Sequence, residues 1–150
     1  MTSNITVHAD TVLIDIDHLA RLGTGERTAL AAFLTGRTWG ALTDRGRGFA
    51  GAEARCAEAG LPEPALILTG TTSPATYTAA AEMLGTEVGA CAVVTPDPDA
   101  ADAALTAGAI SLLLDPDGRT PARPCGVLSL PALTGLVPSP ASPWSAAFAV

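Results

Sequence analysis

The sequence predicts an α/β fold, a three-layer α/β/α sandwich around a central parallel sheet, on three observations. Short β-branched or aliphatic runs recur along the 150 residues, single helix-forming segments separate them, and polar residues gather where the runs end. A strand, a helix and a further strand at this spacing form a βαβ unit, whose crossover makes the strands parallel and puts helices on the sheet faces.

The elements follow in order. Residues 11–16 (TVLIDI) form a continuous apolar run, the signature of a strand buried on both faces. Residues 26–34 (ERTALAAFL) are rich in helix formers and stop at Gly36; residues 38–43 (TWGALT) give a second strand before the turn-like DRGRG. Residues 51–59 are helical, closed by Gly60 with Pro62 beyond, and residues 65–69 (ALILT) give a third strand. Residues 74–84 form a helix with Tyr77, Ala80 and Leu84 on one face, and residues 90–94 (ACAVV) a fourth strand. Residues 99–107 form a helix for which Asp99 is the expected N-cap. Residues 111–114 and 127–130 give further strands, with a closing helical turn over 131–136. The whole is Rossmann-like, and in such sheets ligands sit at the carboxyl ends of the strands.

Composition narrows the function classes. Fifteen acidic residues face eight basic ones, all arginine, for a net charge of −7, which disfavours nucleic acid and anionic membranes as partners. Cys56, Cys91 and Cys125 are widely spaced and only His8 and His18 accompany them, so neither a disulfide framework nor a zinc site is predicted. The first residues carry no basic stretch leading into an apolar core, and no window is apolar enough for a span, so a cytoplasmic protein is expected. The Asn4 sequon matters only in a secreted chain. Residues 1–10 read as an N-terminal extension, 11–136 as the domain, and 137–150 as a Pro/Ser/Ala-rich tail. Trp144, Phe148 and Val150 in that tail either dock on the domain or on a neighbour, or remain part of a disordered extension.

Strand ends supply the candidate chemistry. Asp15 and Asp17 close the first strand, Thr43 and Asp44 the second, residues 69–73 the third, and Asp97 and Asp99 follow the fourth. LIDIDHL, WGALTD, EARCAEAGLPEPALILTG, SPATYTAAAEMLG and ACAVVTPDPDAADAALTAGA, in this order, resemble the motifs of the haloacid dehalogenase-like (HAD) hydrolase superfamily from Thr11 to Leu136. The resemblance implies Asp15 as nucleophile, Asp17 as general acid and base, and Thr43 as hydrogen-bond donor to a phosphoryl group. It also implies a magnesium site from Asp15, Asp17 and Asp97, in a hydrolase of phosphatase type.

The departures from the family pattern are as informative as the matches. The family lysine is absent; its place falls at Thr71, and the chain has no lysine at all. A unit charge about 4 Å from a transferring phosphoryl group is worth roughly 4 kcal/mol, about a thousandfold in rate. Arg45 and Arg47 either replace it in binding substrate or are solvated loop charges. Where the family carries acids after the fourth strand this chain has Thr95 and Pro96, with Asp97 one position late, so any magnesium site is weakened. His18 stands where the family prefers glycine, filling the mouth of the site or shuttling protons. Only eight residues, HLARLGTG, separate Asp17 from the next helix, so no cap domain is expected. A capless site is open, which suits a large or carrier-bound substrate, or a protein partner or second copy acting as lid. Three function classes therefore stand: an active HAD-like enzyme, a pseudoenzyme kept as a binding or assembly module, and a repurposed metal-independent cyclase or isomerase.

Overall fold

The computed structural model describes residues 5–6, 11–17, 23–43, 48–114, 126–130 and 136–137. Along the chain lie β1 (Ile5–Thr6), β2 (Thr11–Asp15), α1 (Thr24–Leu34), β3 (Thr38–Leu42), α2 (Gly48–Glu58), β4 (Leu66–Leu68), α3 (Pro74–Met83), β5 (Cys91–Thr95), α4 (Pro98–Ala107), β6 (Ile110–Leu114), β7 (Val127–Leu130) and β8 (Leu136–Val137). Every strand and helix predicted between residues 11 and 130 is present, with only the ends displaced. Of the helical turn expected over 131–136, Leu136 is instead in a strand, and the remainder lies outside the described residues.

Six strands form one parallel sheet in the order β4-β3-β2-β5-β6-β7. β2 lies inside the sheet between β3 and β5, and all five residues of TVLID are buried, as a strand covered on both faces requires. From β2 the chain builds outward through β3 to β4, then crosses back to lay β5 on the other side of β2. The direction reverses between β2 and β5, and in sheets of this kind ligands bind at that switch point, outside the strand carboxyl ends. A separate two-stranded parallel ladder joins β1 to β8, pairing Ile5 with Leu136 and Thr6 with Val137.

Alternation along the strands divides the core in two. Val12, Ile14, Trp39, Ala41, Ala92 and Val94 face Leu30, Phe33 and Leu34 of α1 and Ala52 and Cys56 of α2. Leu13, Leu42 and Val93 face Tyr77 and Ala80 of α3 and Ala103 and Ala104 of α4. The alanines of α4 keep that helix close to the sheet, where the Ser111 hydroxyl donates to the Ala101 carbonyl at 2.7 Å. Gly40 in β3 serves the same economy of space: a Cβ there would lie 2.9 Å from Leu13 Cδ2 and 3.1 Å from Leu66 Cδ1.

One cap differs from expectation. Asp97, not Asp99, is the N-cap of α4: its backbone is extended, its carboxylate accepts the Asp99 N–H at 3.0 Å, and Pro98 is the first helical residue. Proline favours that first position because its fixed φ suits a helix and its missing N–H is not needed there. The helix ends on Gly108, whose φ of 99° suits a residue without a Cβ.

Candidate active site

Asp15 is the last residue of β2 and Asp17 sits in the turn just beyond it. The Ile16 amide donates to the Leu42 carbonyl at 2.9 Å, which carries the β2 ladder past its last residue and fixes the direction of the turn. Thr43 is held likewise after β3, its amide donating to the Leu68 carbonyl at 2.9 Å. Two neighbouring strands thus deliver their first polar side chains to one edge.

The Asp15 carboxylate is 6% exposed and bonded at both oxygens: Oδ1 accepts the Asp17 amide at 2.9 Å and Oδ2 accepts the Thr95 hydroxyl at 3.1 Å. Such bonds fix the orientation of a buried carboxylate and satisfy its charge. Asp17 Oδ1 accepts the Thr43 hydroxyl and, at 2.9 Å, Nη1 of Arg55; Arg55 Nη2 also donates to Thr43 Oγ1 at 3.2 Å. Asp15, Asp17 and Thr43, expected together from the strand ends, are therefore brought together.

Two contributors were not expected from the sequence. Arg55 lies in the last turn of α2, a helix position that strand-end reasoning passes over. Thr95 ends β5 where the family pattern has an acid, and its hydroxyl links two strand ends: it donates to Asp15 and accepts the Asp97 amide at 3.1 Å. The absence of lysine leaves eight arginines as candidate cations and does not single out Arg55.

The remaining candidates fall elsewhere. Thr71, at the family lysine's place, is buried in the turn after β4, where its carbonyl accepts the Tyr77 hydroxyl. His18, Asp44, Arg45 and Arg47 lie outside the described residues. The Asp97 carboxylate faces its own helix.

The donor set around magnesium can be tested on these contacts. Octahedral oxygen coordination at short range needs carboxylates turned to one point. Here Asp97 caps α4, a threonine hydroxyl occupies Asp15 Oδ2, and a guanidinium occupies Asp17 Oδ1. Among the described residues no three His, Cys, Asp or Glu side chains converge to hold a metal. The described residues do not fit magnesium in this arrangement.

No protein-family model matches the chain, and no curated protein matches it. Solved structures do. The core domain of a protein provisionally assigned as a phosphoglycolate phosphatase, from Streptococcus pneumoniae, is similar at TM-score 0.60 and 16% identity, over 89% of this chain and 91% of that one. A 2-haloacid dehalogenase from Pseudomonas syringae is similar at TM-score 0.58 and 19% identity over 84% of this chain, which spans 53% of the dehalogenase. A 3-deoxy-D-manno-octulosonate 8-phosphate phosphatase from Moraxella catarrhalis, in complex with magnesium and phosphate ions, is similar at TM-score 0.50 and 19% identity, over 71% of this chain and 68% of that one. The described residues contain no cap module and no helix long and apolar enough to cross a membrane. By strand order, parallel register and these likenesses, the chain has the haloacid dehalogenase-like fold.

Proposed function

We propose that the chain is a HAD-like hydrolase performing phosphoryl transfer at an open site. Asp15 attacks phosphorus, the bond to the leaving oxygen breaks, and Asp17 gives that oxygen its proton. Water then attacks the resulting acyl phosphate, returns a proton to Asp17 and releases phosphate. Thr43 positions Asp17. The observation that carries this reading is the meeting of Asp15, Asp17 and Thr43 at one sheet edge, joined by direct hydrogen bonds although Asp17 and Thr43 are 26 residues apart. The described carboxylates do not converge on a point where a magnesium ion could sit. The absence of a cap module among the described residues suits a large or carrier-bound substrate, with a second copy or another protein as lid. Cys56 and Cys91 are free thiols, in keeping with a cytoplasmic place.

The test is covalent trapping. Incubation with acetyl phosphate, rapid acid quench and peptide mass spectrometry should place one phosphoryl group on Asp15, absent in Asp15→Asn and persistent in Asp17→Asn. A wild-type protein that never acquires the label, with or without magnesium, would remove the hydrolase reading. The engagement of Asp97 by its helix favours a second reading, a pseudoenzyme serving as a binding or assembly module, which that outcome would support. A metal-free cyclase or isomerase would leave Asp15 unlabelled yet lose its activity in Asp17→Asn.

A further inference from the structure

We infer that Arg55 is the residue that grips the oxygens of the group transferred to Asp15, and that the site therefore binds an oxyanion without a divalent cation. The inference rests on the hydrolase reading and adds to it the source of positive charge. A site built on two carboxylates repels an oxyanion unless a cation intervenes. The chain has no lysine, and the described carboxylates do not gather around a metal. What the structure does bring is a guanidinium, in direct contact with the two side chains flanking the nucleophile, Asp17 at 2.9 Å and Thr43 at 3.2 Å.

Its chemistry fits that task. Arginine carries five N–H donors in a planar fork that matches tetrahedral oxyanions bidentately and stays charged at any working pH. Arg55 Nε is buried, with no hydrogen-bond partner among the described residues, so the fork retains donor capacity beside the bonds to Asp17 and Thr43. With Arg55 23% and Asp17 20% exposed, the pair is partly open to solvent, where an incoming anion can compete for the guanidinium. Thr95 completes the arrangement from β5 by holding Asp15 Oδ2 with a neutral hydroxyl where a further carboxylate would add repulsion.

The experiment titrates inorganic phosphate into the full chain by isothermal calorimetry, first with EDTA and then with magnesium. Wild type should bind in EDTA, Arg55→Met should bind roughly ten- to a hundredfold more weakly, and Arg55→Lys, which keeps the charge but loses the fork, should fall between. Should Arg55→Met melt early, Arg55→Gln and Arg55→Lys carry the comparison. Equal binding by folded Arg55→Met, binding that appears only with magnesium, or no binding by wild type in either buffer would overturn the inference. Trapping on Asp15 separates the two proposals. Acyl phosphate formed equally by Arg55→Met in EDTA sinks the role of Arg55 and leaves the hydrolase. Phosphate binding lost in Arg55→Met, with no acyl phosphate in wild type, leaves Arg55 as an anion site and sinks the hydrolase.

Discussion

Replacing Asp97 by alanine separates two roles that one carboxylate can play. Among the described residues the side chain accepts a single bond, from the Asp99 amide at 3.0 Å. The backbone bonds around it, from Asp97 N to Thr95 Oγ1 at 3.1 Å and from Ala101 N to the Asp97 carbonyl at 3.0 Å, survive the substitution. The loss is therefore one N-cap, about 1 kcal/mol. The negative charge beside the first turn of α4 adds roughly 0.3–1 kcal/mol. For a domain of this size each kcal/mol shifts the melting midpoint by about 2–4 °C, so Asp97→Ala should melt roughly 3–8 °C below wild type. Asp97→Asn, which keeps the accepting oxygen, should recover most of that difference. Thermal melting followed by circular dichroism, with and without magnesium, reads both roles. A wild-type melting point for Asp97→Ala, together with a magnesium-induced shift that Asp97→Asn abolishes, would show a metal ligand and refute the cap.

Other substitutions probe the frame of the site. Gly40→Ala should cost about 1–3 kcal/mol in guanidinium unfolding, because its Cβ would meet Leu13 at 2.9 Å and Leu66 at 3.1 Å; an unchanged midpoint would mean that both leucines turn aside freely. Tyr77→Phe removes a buried hydroxyl that bonds the carbonyls of Thr71 and Ala100, and should cost on the order of 1–3 kcal/mol. Burial pushes the Cys56 thiol from 9.0 to about 11, so at pH 8 its iodoacetamide alkylation should run roughly a hundredfold slower than that of an exposed thiol. The same thiol loses its proton near 9 unfolded and near 11 folded, so its contribution to stability is complete below pH 9 and is lost as pH rises through 11. Alkaline denaturation midpoints should show that loss, and Cys56→Ala should flatten it.

The frame was legible because both-face burial writes itself as uninterrupted apolar runs. TVLID and CAVVT, all buried, admit no other reading once helices separate them. Asp15, Asp17 and Thr43 were legible for the same reason, since a polar residue ending such a run must lie at the sheet edge. Arg55 was not. Its partner Asp17 is 38 residues away, and their meeting depends on how α2 packs, which no spacing encodes. The choice between Asp97 and Asp99 was written in Pro98, whose preference for the first helical position outweighs the general liking of aspartate for either place.

The Thr95 to Asp15 bond spans 80 residues, and this has a consequence for the making of the protein. At roughly 5–20 residues per second on the ribosome, on the order of 4–16 seconds pass between synthesis of the carboxylate and of the hydroxyl that holds it. Through that interval β2 can pair with β3, but its other edge has no β5 to meet. A nascent chain arrested before Cys91 therefore exposes an apolar strand edge, and it is this intermediate that a chaperone has reason to cover.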